Sequence, residues 1–138
     1  MKRPTRDSKQ SEKEYLRRVG GGAWELHKPF LPSGAYDLEE STQDIQDFAM
    51  LLRMLRPEPD DLILDLGAGS CWCSDWLERL NLSTVSVDIS IDMLRLGQQR
   101  LRQGTAARLA SGDLEHLPFA SGAFDKAVCG QRRQNAAD

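Results

Sequence analysis

Apolar residues recur at helical spacing between Ser41 and Arg56, where Ile45, Phe48, Leu52 and Leu55 form one face. Ser41 is the expected N-cap, with Asp44 three residues on, and Pro57 and Pro59 end the helix. The period then changes. Leu62-Ile63-Leu64-Asp65-Leu66 is a short apolar run of the kind expected for a strand buried on both faces. Gly67-Ala68-Gly69 is a turn, and Ser70 to Leu80 reads as a helix burying Trp72, Trp76, Leu77 and Leu80. A second strand is expected from Thr84 to Asp88. Ser90 then caps a helix running to about Gln103, where Gly104 stops it. Ala107 to Ala110 is a weaker strand and Phe124 to Cys129 a fourth. This alternation predicts an α/β fold with a parallel sheet and right-handed crossovers.

The flanks are less regular. Residues 1–22 are mostly charged and polar and read as a mobile tail. Residues 23–59 form a second segment, in which Trp24, Phe30 and Tyr36 precede the first helix. Those aromatics either dock on the sheet or close over a cleft as a lid. Residues 131–138 are a polar tail with no apolar face.

Composition narrows the class. With 138 residues, 40% hydrophobic and 28% charged, the chain suits one globular domain. A net charge of −3 gives no drive toward nucleic acid or an anionic membrane. No apolar run approaches the roughly 20 residues of a membrane span. The basic N-terminus has no apolar stretch behind it, so it is not read as a secretory signal. Cys71, Cys73 and Cys129 are odd in number and lack zinc-type spacing, so no metal is expected and a cytoplasmic setting is.

Ligands of open α/β sheets bind beyond the carboxyl ends of the strands, and three features fall there. The first is Asp65-Leu66-Gly67-Ala68-Gly69-Ser70-Cys71, where glycines permit a sharp turn and close approach to the backbone. Alone, it is equally a strand-to-helix turn that needs glycine for geometry. The second is Asp88, 23 residues after Asp65, placed to accept hydrogen bonds from ribose hydroxyls. Its plainer reading is a cap or a solvated strand end. The third is Ser111-Gly112-Asp113-Leu114-Glu115-His116-Leu117-Pro118-Phe119, followed by Phe124-Asp125. There Asp113 could accept from an adenine amino group and Leu114 cover the ring, or the whole segment could be a polar turn.

Together LILDLGAGSC, VSVDIS with IDML behind it, and SGDLEHLPFASGAFDKAVC resemble the class I S-adenosylmethionine-dependent methyltransferases, nearest to the ubiquinone and menaquinone biosynthesis group. The resemblance runs from about Asp60 to Cys129. It implies a Rossmann-like parallel sheet of about four strands, in the order 3-2-1-4 with helices on both faces, and an S-adenosylmethionine-binding half domain over residues 60–130. It places Asp65, Gly67, Ala68 and Gly69 at the methionine part of S-adenosyl-L-methionine and Asp88 at the ribose. Ile89, Met93, Gly112, Asp113 and Leu114 fall toward the adenine, and Cys129 near the methyl-donor end. Met93 is equally readable as helix core. The family pattern has a third glycine where Cys71 stands, a bulkier residue expected to narrow the turn. Its later strands are lacking here, so the chain reads as C-terminally truncated.

The implied activity is methyl transfer to a small-molecule acceptor, with no catalytic base identified. Two other classes stay open. A non-catalytic scaffold would recruit a partner chain, or a second copy, at the exposed edge of the fourth strand. A NAD-binding oxidoreductase domain would use the same glycine turn and Asp88. Cys71 and Cys73, at a helix start, are read as packing residues although such positions can lower a thiol pKa. Of His27 and His116, His116 is the better acid–base candidate.

Overall fold

The computed structural model describes residues 24–30, 36–101 and 108–129. The expected polar tails at both ends lie outside these residues. The elements are α1 (Trp24–His27), α2 (Leu38–Leu55), β1 (Leu62–Leu66), α3 (Trp72–Arg79), β2 (Ser83–Asp88), α4 (Ile91–Arg100), β3 (Leu109–Ser111) and β4 (Lys126–Cys129). The four strands are parallel, in the order β3-β2-β1-β4, as expected. Leu64 stands opposite both Val85 and Ala127, so β1 is central and hydrogen-bonded on each side.

Register fixes which face each residue serves. Asp65 is paired with Ser86 and Val128, and Ser86 with Leu109, so these four point to one side of the sheet. Phe48 of α2, Cys73 and Leu77 of α3, Ile63 and Val128 share a core on that side. Leu94 of α4 packs there with Ala68, Cys71, Leu101 and Leu109. Helices on both faces were expected; among the described residues α2, α3 and α4 all lie on this one face. The β1-α3-β2 and β2-α4-β3 crossovers step the same way across the sheet. Right-handedness then puts both helices on one side. On the opposite side Val87 meets the segment after β3, where Gly112 sits between Val87 and Pro118.

Local chemistry explains the element ends. α2 begins earlier than expected, because Asp37 rather than Ser41 is the N-cap: its carboxylate accepts the Glu40 N–H at 2.9 Å. Ser41 is buried inside the helix, with its hydroxyl donating to the Pro29 carbonyl. α4 stops at Arg100 because Leu101 is extended, and that backbone seats its side chain in the core. The expected Gly104 stop lies outside the described residues. β3 is shifted to Leu109–Ser111, and β4 starts at Lys126 rather than Phe124. Phe124 instead meets Phe119 edge-on at 5.0 Å. Asp125 grips the start of β1: Leu62 N–H donates to its carboxylate at 2.8 Å, and its own N–H donates to the Leu62 carbonyl at 3.0 Å.

Of the aromatics before α2, Phe30 and Tyr36 dock on the helices, and the Trp24 side chain lies outside the described residues. Tyr36 is buried, with its hydroxyl donating to Asp44 Oδ2 at 2.6 Å, and Phe30 stacks on Trp76 at 5.4 Å. Trp76 also meets Phe48 and Trp72 edge-on, which joins α2 to α3. α3 and α4 are joined by a buried ion pair, in which Arg100 Nε donates to Asp75 Oδ2 at 3.0 Å. Among the described residues, no helix is long and apolar enough to cross a membrane.

Candidate functional site

The end of β1, the end of β2 and the segment after β3 converge on the glycine turn. Gly67, Gly69 and Cys71 all have positive φ, at 66°, 58° and 64°. This alternation turns the chain back under the strand ends before α3 begins. Two of the three positions carry no Cβ, which removes the steric cost of that conformation. At the third, Cys71 tolerates it because its side chain is buried in the core against α4. A Cβ built on Gly97 would stand 2.4 Å from Cys71 Sγ, so Gly97 makes the space the thiol occupies. The thiol lies between α4 and the turn, with its Sγ 3.8 Å from the Gly69 carbonyl oxygen.

Asp88 ties the turn to β2. Its Oδ2 accepts the Gly69 N–H and its Oδ1 the Ser90 N–H, both at 2.8 Å. The backbone joins in: Ala68 N–H donates to the Val87 carbonyl at 2.9 Å, and Gly112 N–H to the Asp88 carbonyl at 3.0 Å. Ser90 caps α4, accepting the Met93 N–H at 3.3 Å. Met93 is buried, with its methyl carbon 3.7 Å from where a Gly69 Cβ would lie, so it stands against the turn and not only in the helix core. Ile89 is half-buried between Asp88 and the cap.

Asp65 lies on the helix-covered face, 1% exposed. Ser74 of α3 donates to its Oδ2 at 2.7 Å, and the Ser86 hydroxyl is 2.6 Å from that of Ser74. Oδ1 of Asp65 and the hydroxyl of Ser70 are buried and have no hydrogen-bond partner among the described residues. Burial first, and then the charge of Asp88, raise the Asp65 pKa from 3.8 to about 7, against the Ser74 hydrogen bond, which lowers it. A buried carboxylate with one free oxygen suits a cationic donor. The thiols behave oppositely to reactive helix-start cysteines: burial pushes Cys71 up to about 12 and Cys73 well above its ordinary value.

The third segment makes a tight turn. Asp113 Oδ1 accepts the Glu115 N–H at 3.0 Å, and Asp113 bridges to His116. Leu114 and His116 are exposed. One ligand atom each from Asp113, Glu115 and His116 lies within 4.8 Å of the others, the described set compact enough to touch one cation. Cys129 ends β4 in register with Leu66, at the entrance to the turn. It is exposed, and the end of β4 lines a groove of about 470 Å³ between α2 and β4, with Phe48, Leu51 and Val128 behind it.

Sequence reading alone missed Ser74, Ser86 and Gly97. Ser74 and Ser86 are polar residues on positions that the patterns assign to the core, and that mismatch was the available signal.

A family model described as a methyltransferase domain matches residues 63–137. A demethylmenaquinone methyltransferase of Thermobifida fusca is 39% identical over 69 residues, covering 47% of this chain and 28% of that protein. A methyltransferase of uncharacterised specificity from Bacillus subtilis is 35% identical over 75 residues, covering 54% of this chain and 32% of that protein. The chain thus spans about a third of the length of these relatives. Among solved structures, the magnesium protoporphyrin IX methyltransferase of Synechocystis, with S-adenosylhomocysteine bound, superposes with a TM-score of 0.61 at 20% identity, over 88% of this chain and 57% of that one. A Haloferax volcanii methyltransferase complexed with the activator Trm112 gives 0.56 at 21% identity, over 64% and 39%.

Proposed function

The chain belongs to the class I S-adenosylmethionine-dependent methyltransferase family, whose domain model spans more than half of it, and on that premise we propose that it binds S-adenosylmethionine at the glycine turn for methyl transfer to a small-molecule acceptor. The carrying observation is the pair of buried acids at the ends of β1 and β2. One is anchored by backbone donors and the other has an unsatisfied oxygen.

The donor set fits this cofactor. Asp65 Oδ1 and the Ser70 hydroxyl would receive the ammonium of its amino-acid end, and Gly67, Ala68 and Gly69 would let that end approach the backbone. Asp88 would accept from the ribose hydroxyls, and its charge disfavours a 2′-phosphate there. Ile89 and Met93 would flank the adenine, with Gly112, Asp113 and Leu114 on its far side. Cys129 would lie toward the methyl-donor end. The bound cofactor supplies an activated methyl group on a sulfonium, so this chain's residues need only bind, orient and exclude water. We assign that role to residues 60–130, with 23–59 as a supporting flank, and a cytoplasmic setting in which the three free cysteines stay reduced.

Equilibrium dialysis with labelled S-adenosylmethionine tests the reading. Saturable retention, competed by S-adenosylhomocysteine and not by NAD, is the expected result. Competition by NAD alone would favour an oxidoreductase domain, and no retention by folded protein would overturn the assignment.

A second reading rests on the other edge of the sheet. The outer side of β4 has no strand partner among the described residues, and the apolar groove beside α2 adjoins it. A partner chain could add a strand there. Sedimentation tests this: a concentration-dependent oligomer supports it, and a monomer at all concentrations contradicts self-association.

A further inference from the structure

Three buried side chains line up beneath the glycine turn. Ser74 Oγ donates to Asp65 Oδ2 at 2.7 Å and lies 2.6 Å from Ser86 Oγ. Ser74, Ser86 and Asp65 are each at most 1% exposed. Ser74 has a single proton. With Asp65 ionised, that proton is committed to Oδ2, so the short contact with Ser86 requires Ser86 to be the donor. The string therefore runs in one direction, from β2 through α3 onto Asp65, and it ends at the carboxylate whose other oxygen has no partner among the described residues.

Helix α3 has no need of a serine here, because its neighbours Cys73 and Leu77 serve the apolar core. A hydroxyl at a fully buried helix position is costly unless bonded, and here it is bonded to the carboxylate at the end of β1 and to the Ser86 hydroxyl. We propose that Ser74 is a positioning residue: it occupies Oδ2 of Asp65, with Ser86 fixing the direction of its proton, and so leaves Oδ1 as the acceptor for an ammonium group on the ligand's amino-acid end. This rests on the cofactor reading and extends it to a residue that touches no ligand.

The charged and titratable groups bearing on Asp65 are Asp88 from β2 and the Cys71 and Cys73 thiols from the start of α3. Both thiols are neutral, so among the described residues Asp88 is the charge that raises it. Affinity for an ammonium-bearing ligand should rise with pH through about 7, as Asp65 ionises. Removing the Ser74 hydroxyl removes a contribution that lowers this midpoint, so the midpoint moves up.

The test is the Ser74→Ala chain titrated with S-adenosylhomocysteine, which carries the ammonium, and with 5′-methylthioadenosine, which lacks it, across the pH range. The expected result is about a tenfold loss for the first, less than about a twofold change for the second, and an upward shift of the pH midpoint. A merely structural serine would weaken both ligands alike and leave the midpoint in place. That result, or no change in either, overturns the proposal. Ser86→Ala should move the midpoint the same way by less, and it carries the test should Ser74→Ala fail to fold; an unmoved midpoint there overturns the proposal too. A folded wild-type chain that binds neither ligand refutes the underlying cofactor reading, a different and recognisable outcome.

Discussion

Cys71 and Gly97 form a matched pair: the thiol of one fills the space left by the missing side chain of the other, so that a Cβ on Gly97 would fall 2.4 Å from Sγ and 3.2 Å from the Ser70 carbonyl carbon. Cys71 is at φ 64° and fully buried, so the left-handed turn and the helix packing depend on one another. Gly97→Ala should therefore destabilise by about 1–3 kcal/mol despite its better helix propensity. Adding Cys71→Gly should recover part of the loss, because it removes the closest contact and the positive-φ strain together. Denaturant melts of the two single variants and the double variant measure the coupling. Strictly additive values would show that the pair does not interact as the geometry states.

Asp88→Asn should cost both stability and ligand. The carboxylate accepts from Gly69 and Ser90 N–H, and an amide can replace only one of those acceptors. A backbone donor is then left unsatisfied, at about 1–3 kcal/mol. Thermal melting and S-adenosylhomocysteine titration should both register the change. Normal affinity with a lowered melting temperature would make Asp88 a turn anchor only.

Asp65 should make stability fall with pH. Its folded pKa, about 7, is raised above the ordinary 3.8, so the folded protein holds a proton that the unfolded chain has released between those values. The contribution is fully present below about pH 4 and lost as the pH rises through about 7, with an upper size on the order of 4 kcal/mol. Asp65→Asn, which cannot ionise, should melt above the wild type at pH 8, with the gap closing toward pH 4. A gap independent of pH would contradict the assignment.

Arg100→Met should destabilise the α3–α4 contact. Asp75 is buried between Arg100 and the mostly exposed Arg79. Losing the buried partner strands much of its charge, and a cost of about 3 kcal/mol is expected from chemical denaturation. No measurable change would mean that Arg79 and water satisfy Asp75 unaided.

The strand order followed from the family resemblance, while the strand-end placement of Asp65 and Asp88 was legible because a short apolar run that ends in an acid and meets a glycine turn or a helix cap reads as a strand giving way to a loop. The serines were not, since Ser74 reads as a neutral helix position until Asp65 and Ser86 are seen beside it. The packing of Cys71 was not legible for a related reason. A sequence shows that a side chain is large but not that Gly97, 26 residues later, makes room for it. The face on which the helices lie follows from crossover direction, which becomes definite only once the strand order is known. The capping of α2 by Asp37 rather than Ser41 is the usual ambiguity when two competent caps stand a turn apart.

The most direct test of the account is calorimetric titration of the 138-residue chain with S-adenosylhomocysteine at pH 8, beside Asp88→Ala and with NAD as control. The account predicts one saturable site for S-adenosylhomocysteine, weakened at least about tenfold by the substitution, and no heat from NAD. A folded chain that binds neither compound, or that binds S-adenosylhomocysteine equally well without the Asp88 carboxylate, would contradict it.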